Sequence, residues 1–256
     1  MIVDFISDLH IDQSQPHLMR LLDHYLDNYA SRINKLYILG DLFEVWVGDD
    51  AITAEINSTL NKLKALAVNG CQIYFCHGNR DFLVGQHFAE LYHIELLEEY
   101  STISLADKKI VLCHGDTLCT DDITYQEFRS MVRTNQWQTE FLHKSVDQRL
   151  QLVNQYRQQS KSATKQKAAE IMDVNDNTVL SVMQAFNSKI LLHGHTHRPA
   201  VHQMKQGLRV VLSDWRDVGH FLRYDSSKNE APWQSYYFSR DELTLDKSFQ
   251  QLNTDS

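Results

Sequence analysis

The sequence predicts an α/β fold, on three observations. The chain opens with an apolar run, IVDFISDLH, that leads from Ile2 straight into Asp8 and His10. Four later runs repeat the layout, each short, apolar and followed at once by glycine with Asp, Asn or His. Segments of helical period separate the first of these runs, and some 75 residues between His114 and Ile190 carry helical patterning alone. Short apolar runs bounded by turn residues read as buried strands, and strands alternating with amphipathic helices give an α/β core.

After the first strand, HLMRLLDHYLDNYA sets Leu18, Leu21, Leu22, Tyr25, Leu26 and Tyr29 on one helical face that should lie on the sheet. The second strand, LYIL, ends at Gly40 and Asp41, and GDLFEVWVGDD follows as a loop. Residues 51–68 place Ile52, Ile56, Leu60 and Leu63 at helical spacing and close on Asn69 and Gly70, a C-cap signal. The third strand, IYFC, runs into His77, Gly78 and Asn79; a helix is expected near Gln86 to Tyr92 and an edge hairpin around Glu99 to Lys109. IVLC then ends at His114 and Gly115. In the helical interval, Trp137, Phe141, Val146, Leu150 and Val153 form one apolar stripe, and Ile171, Val174, Val179, Val182, Met183 and Phe186 belong to another. ILL ends at His193, Gly194, His195 and His197. Beyond Pro199, the runs LRVVL, HFLRYD, QSYYFS and LTLDKSF suggest antiparallel strands forming a second sheet layer.

With 256 residues, 43% hydrophobic and 23% charged, the chain suits one large domain or one domain with a sizeable insertion, and not a disordered polymer. The four cysteines form no CxxC pair and are expected to be reduced core residues of a cytosolic protein. The N-terminus lacks a basic region and Asp4 interrupts its apolar run, so no signal peptide is expected. No run approaches the length of a membrane span, which leaves a soluble or peripheral protein. The net charge of −8 is uneven: residues 129–167 carry eight Lys or Arg and two acidic residues, so this stretch holds +6 and the rest −14. Such a stretch is either a solvated helix face or a site for an anionic group.

In open α/β sheets ligands collect outside the carboxyl ends of the strands, so one sheet edge is expected to gather Asp8, His10, Asp41, Asn79, His114, His195 and His197. Singly, each has a bland reading: an N-cap, a surface histidine, a turn aspartate, a left-handed asparagine, a structural histidine cluster. Their conjunction at five strand ends points to a metal site. With no cysteine in the set a structural zinc site is not expected, and carboxylate, imidazole and amide donors suit manganese, iron or zinc. Seven groups are too many for one ion; they suit two ions about 3.5–4 Å apart with a bridging carboxylate, an arrangement that clamps a phosphoryl group.

With DLH, GDLFE, GNRD, HGDTLCTDD, IMDVN and HGHTHRP in this order, the chain resembles the calcineurin-like metallophosphoesterases, over about residues 1 to 215. The resemblance implies a four-layer αββα sandwich, residues 1–256 as a single metallophosphoesterase domain and residues 121–187 as a helical lid inserted within it. It is narrowest toward members that hydrolyse the diphosphate of UDP-2,3-diacylglucosamine in lipid A biosynthesis. Their reaction implies water attack at the α-phosphorus, with UMP and 2,3-diacylglucosamine 1-phosphate as products. Carried over by position, Asp8, His10 and His197 hold one divalent ion, Asp41 bridges, and Asn79, His114 and His195 complete the second, with manganese the expected metal. The same carry-over makes Asp41, Asn79, Arg80, His114 and His195 the catalytic set. Asn79, Arg80, Asp122, Ser160, Lys167 and His195 are implied substrate contacts, and Thr164 stands where the family often has asparagine.

One chemical argument favours the narrower reading independently. Many relatives follow Gly-Asn with a histidine able to protonate an alkoxide leaving group; this chain has Arg80, which cannot give up its proton. A diphosphate needs no such acid, because its leaving group is itself a phosphate with a second pKa of about 6. Arg80 would then stabilise charge on the phosphoryl oxygens, the alternative being a surface arginine paired with Asp81. The apolar stripes of the lid are expected to cover acyl chains, and Lys161, Lys165 and Lys167 to meet phosphate or anionic headgroups. That places the protein peripherally on the cytoplasmic face of the inner membrane, with no nucleic-acid partner and no obligate protein partner. A nuclease or phosphoprotein phosphatase on the same scaffold, and a non-catalytic scaffold, are the competing readings.

Overall fold

The computed structural model describes residues 1–164 and 173–253, with the side chains of 159–164 left out. Lys165, Lys167 and Ile171 therefore lie outside the described residues, as do the side chains of Ser160, Lys161 and Thr164. The chain begins β1 (Ile2–Ile6), α1 (Pro16–Asn28), β2 (Lys35–Leu39), α2 (Ala54–Val68), β3 (Gln72–Cys76), α3 (Gln86–Tyr92) and β4 (Ile94–Leu96). It continues with β5 (Ser101–Leu105), β6 (Lys108–Leu112), and the helices α4 (Ile123–Val132), α5 (Asn135–Leu142), α6 (Val146–Thr164) and α7 (Asp176–Ala185). Strands β7 (Ile190–His193), β8 (Ala200–Met204), β9 (Gly207–Val211), β10 (Gly219–Asp225), β11 (Trp233–Phe238) and β12 (Leu243–Asp246) complete it.

These strands make two sheets, in the orders β12-β11-β10-β1-β2-β3-β4 and β5-β6-β7-β9-β8. β1, β2, β3 and β4 run parallel, as strands joined by crossover helices do. Alternation along β1 decides the layers. Val3 and Phe5 face the other sheet, in a core with Leu112, Leu192 and Val210. Ile6 instead joins Leu22, Tyr25 and Leu60 of α1 and α2 in the helix-covered core. On the far side of the second sheet, Val179 and Met183 of α7 close over Cys113 and Leu191. The four layers are thus helix, sheet, sheet, helix, and all four cysteines are buried free thiols.

The structure corrects the sequence reading in several places. The strands expected to form the second layer divide: β9 joins β7 in the second sheet, whereas β10, β11 and β12 extend the first across the free edge of β1, with Ile2 opposite Asp225. Alternation reveals a half-buried strand but not which sheet has an open edge. The ligand-bearing strand ends therefore belong to two facing sheets, not to one sheet edge. Strands β4 and β8 were not expected, β4 because it has three residues and β8 because AVHQM lacks an apolar run. Helix α2 begins at Ala54, where the Thr53 hydroxyl accepts from the Ile56 N–H, and not at Ala51, which ends a separate short turn. In the first apolar stripe of the helical interval Trp137, Phe141, Val146 and Val153 pack on the helix-covered core, but Leu150 is 40% exposed and its neighbour Arg149 is buried.

Candidate metal centre

Each candidate ligand follows the C-terminal end of a strand: Asp8 and His10 after β1, Asp41 after β2, Asn79 after β3, His114 after β6, His195 and His197 after β7. The chain must turn sharply there to present successive side chains inward. Among the described residues, eight that are not glycine have positive φ, and five are Asp8, His10, Asp41, His195 and His197, at 51° to 65°. Left-handed backbone is disfavoured for L-residues, least so for Asp, Asn and His, and it gathers where geometry is held for function. Glycine is needed where backbones meet these side chains. A Cβ on Gly78 would lie 2.2 Å from Asp41 Oδ1, and one on Gly194 would lie 2.0 Å from Ser7 Oγ and 2.2 Å from Asp8 Oδ2.

The seven side chains converge. His197 Nε2 lies 3.1 Å from Asp8 Oδ1 and 3.4 Å from His10 Nε2. His10 Nε2 is 3.9 Å from Asp41 Oδ2, and His114 Nε2 is 3.8 Å from Asp41 Oδ1, so the two oxygens of Asp41 face two different histidines. Asn79 Oδ1 sits 2.9 Å from His114 Nε2 and 2.8 Å from His195 Nδ1, and those two ring nitrogens are 3.2 Å apart. Among the described residues, two sets of three donor atoms lie close enough for a shared ion: Asp8, His10 and His197, and Asp8, Asp41 and His114.

The opposite ring edges fix which nitrogen faces the centre. His114 Nδ1 donates to Leu39 O at 2.9 Å, and His197 Nδ1 faces Asp214 Oδ2 at 3.3 Å. His10 Nδ1 lies 3.0 Å from Glu44 Oε2, approached obliquely. The Leu39 carbonyl holds a proton on His114 Nδ1, and the carboxylates of Glu44 and Asp214 lie at the Nδ1 edges of His10 and His197, so that the Nε2 atoms of all three rings face the centre. The Nε2 atoms of His10 and His197 meet at 3.4 Å, and this oxygen-nitrogen donor set fits divalent metal ions.

Electrostatics follow from burial and charge. Burial opposes ionisation of Asp8, but His197, His114 and His10 outweigh it and hold the carboxyl well below the usual range. Burial also opposes protonation of His114, yet Asp41, Asp8 and Asp116 raise its pKa to about 9. His195 goes the other way, lowered to about 4 by burial and by His114. Two imidazoles facing one amide oxygen are thus pushed apart in proton affinity.

The structure also places residues that the sequence left unassigned. Asp81, expected at most to pair with Arg80, is fully buried and accepts from the N–H groups of Gly78, Asp41 and Phe43 at 2.9, 3.3 and 3.3 Å. Burial, then Asp41, raises its pKa to about 6. The Arg80 side chain turns away from it, its Nη1 3.6 Å from Glu44 Oε1, while the Arg80 backbone N–H donates to Asp41 Oδ1 at 2.8 Å. Asp116, buried beside His114, accepts from Tyr125 Oη at 2.6 Å and Arg129 Nε at 2.7 Å. Asp122 N-caps α4, accepting from the Tyr125 N–H at 3.1 Å. His193 is buried at the second sheet, its Nδ1 donating to Gly194 O at 2.8 Å. Their signal was present in GDLFE, GNRD and HGD, but the orienting acceptors on Leu39 and Asp214 carry none, since a main-chain carbonyl and a loop aspartate are not distinctive.

Comparison with known proteins gives a consistent picture. Residues 1–199 match the family model for calcineurin-like phosphoesterase. The UDP-2,3-diacylglucosamine hydrolase of Histophilus somni (strain 2336) is 46% identical over 224 residues, covering 87% of this chain and 96% of that protein. The protein of the same name from Pasteurella multocida (strain Pm70) is 41% identical over 225 residues, covering 88% and 94%. Among solved structures, vacuolar protein sorting 29 from Cryptosporidium parvum superposes with a TM-score of 0.50 at 12% identity, over 96% of this chain and 95% of that one, a likeness of fold alone.

Proposed function

Because the chain belongs to the calcineurin-like phosphoesterase family, we propose that it hydrolyses the diphosphate of UDP-2,3-diacylglucosamine to UMP and 2,3-diacylglucosamine 1-phosphate, in the synthesis of lipid A. The observation that carries the reading is the convergence of seven donors from five strand ends, with the Arg80 backbone tied to Asp41 and its guanidinium near Glu44. Relatives above 40% identity that bear this activity's name support the choice of substrate.

Asp8, His10, His197 and Asp41 would hold one divalent ion, and Asp41, Asn79, His114 and His195 a second, with manganese the metal proposed. Bound ions supply Lewis acidity and make a water nucleophilic near neutral pH. The protein's own groups do the rest. Asp41 presents one oxygen to each half of the site, which fixes the spacing of the halves. Asn79 brings one amide oxygen within 2.9 Å of both His114 Nε2 and His195 Nδ1, which gathers the three donors of that half. Arg80 offers fixed positive charge to phosphoryl oxygens and does not transfer a proton. The leaving phosphate departs as an anion without one.

Residues 121–187 are proposed as a lid over the lipid part of the substrate, with Asp122, Ser160, Thr164 and Lys167 as further contacts. Large apolar side chains on the outside of α4, α5 and α6, namely Ile123, Met131, Leu142 and Leu150, are exposed and support contact with acyl chains or a membrane surface. The basic stretch contributes less than its +6 suggests, because Arg129 and Arg149 are taken up by Asp116 and Asp50. Among the described residues no helix is long and apolar enough to cross a membrane. A peripheral position on the inner membrane's cytoplasmic leaflet is proposed, and vesicle flotation with no salt-sensitive binding would count against it.

The deciding experiment supplies UDP-2,3-diacylglucosamine with manganese and follows UMP, beside deacylated UDP-glucosamine and a generic phosphodiester. UMP released from the acylated substrate alone is the expected outcome. Faster turnover of the generic diester would favour a broad phosphodiesterase instead.

A further inference from the structure

We propose that Glu44 is a positioning residue that joins the cation-facing His10 to two arginines, Arg80 and Arg157, and stations both for the anionic group of the substrate. This rests on the phosphoryl-transfer reading above. Glu44 is the last residue of GDLFE, in the loop after β2. Its backbone is fixed beside the centre: the Glu44 N–H donates to Ile11 O at 3.1 Å, and the Ile11 N–H donates to Leu42 O at 2.9 Å. Its carboxylate divides its two oxygens. Oε2 lies 3.0 Å from His10 Nδ1, on the ring edge opposite the one that faces Asp8, Asp41 and His197. Oε1 lies 3.6 Å from Arg80 Nη1 and accepts from Arg157 Nη2, which also donates to Glu44 O at 3.3 Å.

Arg80 comes from the loop after β3 and Arg157 from α6, so a single carboxylate gathers the core, the helical segment and a candidate metal ligand. Two guanidinium groups that share one carboxylate oxygen lie close together, and without that oxygen they repel. Each also regains the rotamer freedom of a long side chain. Paired planar forks are suited to phosphate oxygens. Glu44 therefore keeps two cations within reach of an arriving diphosphate, while its other oxygen orients His10 toward the ions. Partners of this kind behind a metal-bound histidine change metal affinity by about 10- to 100-fold when removed.

The test is a double-mutant cycle with two independent readouts, manganese affinity by calorimetry and KM against kcat for UDP-2,3-diacylglucosamine. Glu44→Ala is expected to weaken manganese binding about tenfold and to raise KM about tenfold. Arg157→Ala, which does not touch His10, should raise KM comparably and leave manganese affinity unchanged. The double variant should raise KM no more than the worse single variant, since both remove one contact. Glu44→Gln, which keeps an oxygen beside His10 Nδ1, should recover manganese affinity, yet not KM, because an amide carries no charge to hold two arginines. It also carries the test if the alanine variant fails to fold. Additive effects on KM, or unchanged manganese affinity in Glu44→Ala, would overturn the assignment. A wild-type protein that binds manganese but releases no UMP would remove the substrate reading, while calorimetry would still decide whether Glu44 serves His10.

Discussion

Asp41 differs from the other donors in having its two oxygens directed at different histidines, 3.9 Å from His10 and 3.8 Å from His114. Replacing it with asparagine keeps the shape and removes both the charge and one acceptor, so Asp41→Asn should nearly abolish UMP release and lower manganese stoichiometry. Arg80→Ala should lower turnover by about 100-fold, in the range seen when one transition-state charge stabiliser is lost, with manganese content intact by elemental analysis. Full turnover in that variant would remove Arg80 from the chemistry. The seven donors were legible because each is an Asp, Asn or His at the end of a short apolar run, and at the four later strand ends glycine stands beside them. The groups that aim them were not. Asp81 stands next to Arg80 in sequence, which suggests an ion pair, whereas three backbone N–H groups claim its carboxylate in the fold.

At the scale of elements, the strands beside helices were readable because a buried parallel strand is apolar on both faces and ends in turn residues. Asp4, in the middle of β1, interrupts that pattern, and its partner could not be read because it lies 219 residues away. Arg223 on β10 grips Asp4 with Nε and Nη2, each at 2.7 Å, and Tyr25 Oη of α1 donates to it at 2.8 Å. Burial nonetheless raises the pKa of Asp4, against the opposing pull of Arg223 and Tyr25. The pair fixes the antiparallel addition of β10 to β1, the feature of the first sheet that alternation alone did not assign. Arg223→Met leaves the carboxylate buried and uncompensated, and should cost about 3–5 kcal/mol in urea unfolding. Asp4→Leu combined with Arg223→Met should recover much of that loss, since apolar side chains of similar volume replace buried ion pairs well. A double variant no more stable than Arg223→Met would show that the pair is needed beyond its charge.

The whole molecule brings two sheets face to face so that their strand ends share one centre, and that placement gives its stability a dependence on pH. The sequence showed which residues end the strands but not how sheet ends would be shared, because β6 pairs with β7 across about eighty residues, Ile110 lying opposite Ile190. In the metal-free protein His114 has its pKa raised from 6.5 to about 9, so its stabilising effect is full below 6.5 and is lost as pH rises through 9. His195 and His220, lowered from 6.5 to about 4, and His193, lowered to about 3, act in the opposite sense. Their effect is full above 6.5 and is lost as pH falls toward those values. The metal-free protein should therefore be most stable near pH 6.5. A metal ion takes the place of the proton on His114, whereas His195 is already neutral and offers no competition at that pH. Manganese binding should accordingly release a proton below pH 9, and the rise in Tm on adding manganese should be larger at pH 8 than at pH 6. Differential scanning fluorimetry with manganese or chelator across this range reads the difference directly. An equal rise at both values would mean that His114 carries no proton in the free protein, and would remove it from the groups that the ion must displace.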